Sequence, residues 1–234
     1  MYDEISDALK TLDVHVFELV DLCSFSLHEK DVLNIIGREF QKKIVIACYP
    51  RAVRNMLKQG NIDFKDFDVL NYKELSPHQI MSVLKNQHNI LEGEALYQVN
   101  VSDLDVPAWF PVIDESLCSL CGKCARFCLF GVYTFDKKSL KVVNPLACKN
   151  NCPACGRTCP TSAIMFPRLD EKTVLAGAYP GASEKKPGEV GLYVMLNDRN
   201  RERKNIFRQG VLKLAEEERQ KAIEELKASM IKKN

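Results

Sequence analysis

An α+β protein in three parts is what this 234-residue chain predicts, and three observations carry the prediction. Short apolar runs alternate with helical patterns up to about residue 86. Eight of the ten cysteines crowd between residues 118 and 159, and the stretch after residue 170 ends in an interrupted helical stripe. The first pattern reads as a small parallel α/β domain with its linker (residues 1–108). The second reads as a loop-rich cysteine domain (109–170), and the third as an irregular arm followed by a basic C-terminal helix (171–234).

Within the first part, Ile5, Ala8, Leu9 and Leu12 recur at helical spacing, and Val14 to Leu22 reads as a strand ending at Cys23. Ser26-Leu27-His28-Glu29 has capping-box spacing for a helix that carries Val32, Leu33, Ile35, Ile36 and Phe40. Lys43 to Cys48 is a short apolar run suited to a buried parallel strand, and Pro50 then opens a helix running to Gly60. Phe67 to Tyr72 makes a third strand, and Ser76-Pro77 opens a helix whose apolar face is Ile80, Val83 and Leu84. Alternation of this kind implies one parallel sheet with right-handed crossovers. Tyr97-Gln98-Val99 is a short strand in the linker.

The cysteines of the second part form two runs, Cys118-x2-Cys121-x2-Cys124-x3-Cys128 and Cys148-x3-Cys152-x2-Cys155-x3-Cys159-Pro160. Three thiolates within seven residues can wrap three iron corners of a cubane, and the fourth ligand must come from further away. Structural zinc prefers two cysteine pairs divided by a longer spacer, so a third cysteine so close to the first pair fits it badly. Disulfides need an oxidising compartment to which nothing in the sequence points.

This spacing resembles that of bacterial dicluster ferredoxins, over about Trp109 to Arg168, with Val112-Ile113-Asp114 matched by Val143-Asn144-Pro145 as a flanking near-repeat. The resemblance implies a pseudo-symmetric βαβ pair in which the fourth cysteine of each run serves the other run's cluster. One 4Fe-4S cluster is then expected on Cys118, Cys121, Cys124 and Cys159, and a second on Cys128, Cys148, Cys152 and Cys155. It also implies short helices near residues 124–130 and 155–162, with return strands at Val132 to Phe135 and Ala163 to Phe166. The chain departs from the ferredoxin pattern in the extra residue between Cys148 and Cys152, and in Leu129 where proline follows the fourth cysteine.

The two remaining cysteines lie at the carboxyl ends of consecutive expected strands, the edge where open α/β sheets bind ligands. Leu22-Cys23-Ser24 and Ile46-Ala47-Cys48-Tyr49-Pro50-Arg51 resemble the N-terminal region of the flavin- and cluster-carrying subunit of heterodisulfide reductase, over some seventy residues. Tyr49 stands where that family tends to have serine, and the further cysteine-containing strand that precedes this segment in the family is absent. Cys23 and Cys48 are therefore read three ways: as ligands of a third iron-sulfur centre shared with another chain, as a redox dithiol, or as buried core thiols. Helix amino ends aimed at them would lower their pKa values.

Charged residues at 27% and hydrophobic ones at 46% describe an ordinary globular protein. No apolar run approaches bilayer-spanning length and the first residues lack the layout of a secretory signal, so a cytoplasmic location is expected. Residues 199–234 hold 11 basic and 6 acidic side chains, beginning with Arg199, Arg201, Arg203, Lys204 and Arg208. With no nucleic-acid-binding motif beside them, they read as a solvated helix face and nucleic acid is not an expected partner. His15, His28, His78 and His88 are scattered. No nucleophile with its base, phosphate-cradling loop or Gly-x-Gly-x-x-Gly occurs.

The sequence therefore reads as an electron-transfer protein or subunit with two 4Fe-4S clusters, relaying single electrons to or from a redox partner. A flavoprotein partner, and membership of a heterodisulfide-reductase-like or other oxidoreductase complex as a hetero-complex or homodimer, follow from the second resemblance. A regulatory or binding protein with structural or sensory clusters is the alternative. A catalytic site at Cys23 and Cys48 has no substrate pocket that the sequence can supply.

Overall fold

The computed structural model describes residues 2–104, 107–181 and 220. Its first part runs α1 (Tyr2–Leu9), β1 (His15–Leu19), α2 (Leu22–Phe25), α3 (Lys30–Glu39), β2 (Lys43–Ala47), α4 (Pro50–Gln59), β3 (Phe67–Asn71), α5 (Pro77–Asn86) and β4 (Leu96–Asn100). Strand side chains alternate between faces, and β2 uses both. Val45 and Ala47 enter a core with Ala52, Val53, Met56 and Leu57 of α4, while Ile44 and Ile46 meet Ile5, Ile80 and Leu84 of α1 and α5 on the other side. Helix α4 forms because Ala52, Val53, Met56 and Leu57 fall on one stripe and Pro50 occupies the first turn, where a missing N–H costs nothing. Fully burying a side chain such as Val53 or Met56 stabilises the fold by roughly 1.5–3 kcal/mol.

Pairing is parallel as expected, but the strands do not form one ladder. β1 pairs with β4, His15 opposite Leu96, and β2 pairs with β3, Lys43 opposite Phe67. The linker strand around Tyr97 thus belongs to the sheet structure of the first part. Two local expectations are corrected. β1 stops at Leu19, and Cys23 lies in the short helix α2, because Asp21 caps that helix by accepting from the Cys23 amide. Ser26 does not open α3 but closes α2, its hydroxyl donating to the Cys23 carbonyl. Glu29, the other half of the expected capping box, is drawn away to accept from Ser102 Oγ and the Asp103 amide. At α5 the capping box does form, with Ser76 and Gln79 exchanging side-chain-to-backbone bonds.

The cysteine-rich part comprises β5 (Val112–Ile113), α6 (Lys123–Phe127), β6 (Tyr133–Phe135), β7 (Leu140–Val142), α7 (Ala154–Arg157) and β8 (Ile164–Met165), with single 3-10 turns at Pro145–Ala147 and Val174–Ala176. β5 pairs antiparallel with β8, and β6 with β7, so each outer strand meets an element from the other end of the segment. Residues 1–182 fall in one compact unit, and a shared core links its two parts: Ala108, Phe110, Val112 and Met165 pack with α4. The fold is α+β. The expected C-terminal helix, its basic residues and the arm beyond residue 181 lie outside the described residues.

Candidate metal centres

Local geometry repeats between the two cysteine runs. The residue before the second cysteine of each run, Leu120 and Asn151, is left-handed, with φ of 51° and 57°. Such turns curl backbone amides inward, a concavity suited to negative charge. The third cysteine is the second residue of a short helix in both runs, Cys124 in α6 and Cys155 in α7. The extra residue between Cys148 and Cys152 is thus absorbed ahead of the shared turn. Gly122 also takes a positive φ, 66°, and a Cβ there would lie 2.3 Å from the ring of Phe135, so only glycine fits.

Cys118, Cys121, Cys124 and Cys159 line one cleft, three from the first run and one from the end of the second, with Leu140, Ala163 and Ile164 completing its walls. Among the described residues, no three His, Cys, Asp or Glu side chains converge tightly enough to hold a single metal ion. A tetrahedral zinc site would bring four sulfurs within about 3.8 Å of one another, given Zn–S bonds of about 2.3 Å. Here four thiols from both runs line one cleft instead. Four soft donors around a cleft suit a polynuclear iron-sulfur group better than one ion.

The electrostatics differ around the cleft. Burial, and then charge on Cys155, Cys159 and Cys118, push the Cys124 thiol up to about 11. The Lys123 amide donates to the Cys121 sulfur and holds its pKa below the ordinary value. Cys159 accepts from the Ala163 amide at 3.3 Å.

The other four cysteines also interact across the runs. Burial, followed by Cys155, Cys128 and Cys152, pushes the Cys148 thiol up to about 12. Burial also raises Cys155, partly offset by the Tyr133 hydroxyl, which donates to its sulfur at 3.0 Å. Burial and Cys155 together drive the phenol of Tyr133 upward, so it stays a donor. In the sequence Tyr133 is only one residue of the expected return strand Val132 to Phe135. Nothing in the spacing marks its hydroxyl as aimed at a sulfur from another turn. Trp109 stacks on Phe166, ring centroids 5.2 Å apart, and its indole N–H points at the Cys152 carbonyl at 3.4 Å.

Cys23 and Cys48 are both 8% exposed and share the core of the first part. They do not leave hydrogen-bonded neighbour strands, since β1 pairs with β4 and β2 with β3. The expected lowering of their pKa values is also reversed. Burial raises both thiols, and the Asp21 carboxylate raises Cys23 further, outweighing Lys73 and Arg168.

A residue whose importance the sequence did not disclose is Arg51, at 2% exposure. From the first turn of α4 its guanidinium meets Asp114 Oδ2 at 2.6 Å, the Ser162 carbonyl at 2.6 Å, and the carbonyls of Val174 and Ala178. It ties the α/β part to both ends of the cysteine-rich segment. The only sequence signal was its place after Cys48-Tyr49-Pro50.

A stretch of the chain is similar to an uncharacterized ferredoxin of Methanocaldococcus jannaschii, at 42% identity over 66 residues, 28% of this chain and 44% of that protein. The chain thus matches less than half the length of that relative. No family model matches the chain, and no solved structure matches it. Among the described residues no helix is long and apolar enough to cross a membrane.

Proposed function

We propose that the chain is an electron-transfer protein holding two 4Fe-4S clusters, one on Cys118, Cys121, Cys124 and Cys159 and the other on Cys128, Cys148, Cys152 and Cys155. The observation that supports this most is the cleft in which three thiols of one run meet the last thiol of the other. Similarity to a ferredoxin points the same way. The clusters supply one-electron chemistry; the protein sets their potential and exposure. Tyr133 and the amides of Lys123 and Ala163 donate to sulfurs, which favours the more negative, reduced state. Leu140, Ile164 and Phe166 keep water from the inner side. The donor or acceptor is a redox protein, a flavoprotein by the second resemblance, and the setting is a cytoplasmic oxidoreductase complex.

Anaerobically purified protein should carry about eight iron and eight sulfide per chain, and Cys121→Ser or Cys152→Ser should each remove about half. Reversible EPR signals of the reduced clusters should accompany the iron. Two zinc with no labile sulfide would overturn the reading. Cys23 and Cys48 we assign to packing, as their burial supports. The Cys23→Ser, Cys48→Ser double variant should keep the iron content and the thiol redox titration of the parent. Loss of further iron would instead reveal a third centre.

A further inference from the structure

Six large apolar side chains of the segment from Leu120 to Leu146 stand exposed, and the most exposed of the whole described chain is Leu129 at 91%. Five of them surround one place. Phe127, Leu129 and Phe130 flank Cys128, and Leu146 precedes Cys148 by two residues. The two stretches meet, because the Asn144 side chain donates to the Gly131 carbonyl and the Val143 amide to the Val132 carbonyl. Val143 therefore lies near Gly131 and Val132, and Phe127, Leu129, Phe130 and Leu146 each fall within two residues of Cys128 or Cys148, two thiols of the second set of four.

Charge frames this patch. From Cys118 to Pro160 the chain holds seven Lys and Arg but a single acid, Asp136, whereas residues 1–117 hold 11 basic and 19 acidic side chains. Lys123, Arg126, Lys141 and Lys149 are exposed and have no carboxylate partner among the described residues. Two reduced or oxidised clusters would bring negative charge inside, but cations meant only to balance it need no exposed leucine and phenylalanine between them. An apolar centre with a charged rim is the anatomy of a protein interface.

We infer that Phe127, Leu129, Phe130 and Leu146 form the docking face through which the second set of four thiols exchanges electrons with a separate redox protein, one that presents a small apolar spot ringed by carboxylates. This rests on the electron-transfer reading. The apolar contact brings the partner's cofactor close to Cys128 and Cys148, and the cations steer it there. A nucleic acid would meet the same cations and could stack bases on Phe127 and Phe130, but Leu129, Val143 and Leu146 among them are aliphatic and give bases nothing to stack on, so the patch as a whole favours protein.

The test uses the full, cluster-loaded chain reduced with dithionite. Its oxidation is followed by stopped flow with two probes, an acidic one-electron flavoprotein of the flavodoxin type and the basic haem protein cytochrome c. The rate with the acidic probe should fall at least about tenfold between roughly 10 mM and 500 mM salt, while the basic probe should show the opposite trend. Leu129→Asp, at a position too exposed to affect folding, and Lys149→Glu should each slow the acidic probe about tenfold at low salt. Iron content and the EPR spectra should match the parent in both variants. Rates that ignore both substitutions, or that rise with salt for the acidic probe, overturn the docking face while leaving the electron-transfer reading intact. Clusters that neither dithionite nor either probe can reduce or oxidise overturn the reading beneath it. Two further outcomes also overturn the proposal: a fluorescent single-stranded oligonucleotide whose binding is lost in Leu129→Asp, and a homodimer, seen by light scattering, that Leu129→Asp dissociates.

Discussion

The α/β part and the cysteine-rich part are built on different economies of structure. In the first, strands are five residues long and three of the helices ten, and apolar side chains such as Ala52, Val53 and Ile80 are fully buried, with Arg51 and Asn71 among its buried polar ones. In the second, strands are two or three residues long, the helices four or five, and Cys124 and Cys155 sit within the core itself. Strands and helices so short bury too little to hold themselves. The first part is held by its side chains; under the proposed function the second is held by the clusters on its thiols, together with the surface it shares with α4. Where a bound group organises a fold, its binding free energy is folding free energy.

The largest expected effect breaks the molecule along that line. Stripping iron anaerobically with a chelator should lower hydrogen-exchange protection of the β6 and β7 amides by at least about 100-fold. Amides of β2 and β3, from Ile44 to Leu70, should keep most of theirs. Equal loss in both ladders would mean that the two parts form one cooperative unit, and the comparison fails.

Arg51 tests how tightly the two are joined. Its guanidinium is buried with Asp114 and three carbonyls, so Arg51→Ala leaves a carboxylate and those acceptors without a partner, at a cost of about 3–5 kcal/mol. The Arg51→Met, Asp114→Leu pair should cost less than Arg51→Ala alone, measured by urea denaturation. Burial alone would raise the Asp114 carboxyl, but Ser116 and Arg51 hold it below its ordinary value of 3.8. A depressed carboxylate stabilises the fold above its unfolded pKa, and that contribution is lost as pH falls through the lowered, folded value. The loss therefore belongs to the region below about pH 4, and Asp114→Asn should flatten that part of the stability profile.

How much of this the sequence disclosed differs between the parts for the same reason. Periodicity located β2, α4, β3 and α5, because apolar side chains such as Ile44, Val53 and Leu84 report their own burial. It missed α2 and misplaced the start of α3, since Asp21 and Glu29 form bonds to Cys23 and Asp103 that depend on where the chain goes next. Strand pairing was not legible either: nothing in Tyr97 announces Phe17 or Val16 as its neighbourhood. In the cysteine-rich part the spacing marked three neighbouring thiols in each run, and it was the resemblance to dicluster ferredoxins that implied Cys159 joins Cys118, Cys121 and Cys124, with which it lines one cleft. The second layer, Tyr133 on Cys155 and Arg51 on Asp114, joins residues 22 and 63 positions apart, and no local pattern encodes it.

Tyr133 sharpens the comparison at its midpoint in size. Its hydroxyl acts on one sulfur and contributes little to packing, so Tyr133→Phe should leave the fold of both parts unchanged. The lost bond is worth on the order of 1 kcal/mol in favour of the reduced state, which for one electron lowers the potential by roughly 40 mV. Under the proposed ligation only the cluster on Cys155 should move, and redox titration followed by EPR would show it. An equal shift in both clusters would mean that the change acts through general polarity and not through the bond to sulfur.

The smallest effect lies wholly in the α/β part, and its constancy is what matters. Ser76 Oγ accepts from the Gln79 amide at 3.3 Å, and Gln79 Oε1 accepts from the Ser76 amide at 2.8 Å, satisfying two donors that the start of α5 would otherwise leave to water. Pro77 follows at the first helical position, and Ile80 and Leu84, one turn apart, carry the helix into the core shared with Ile5 and Leu70. Ser76→Ala removes one acceptor at an exposed site and should cost about 1 kcal/mol. If the first part is held by its own side chains, that cost should be the same in iron-loaded and iron-stripped protein, read as the shift in urea midpoint for the far-UV signal. A cost that vanishes on stripping would show that α5 is already loosened when the thiols lose their group, and that the apolar core of the first part does not stand without the second.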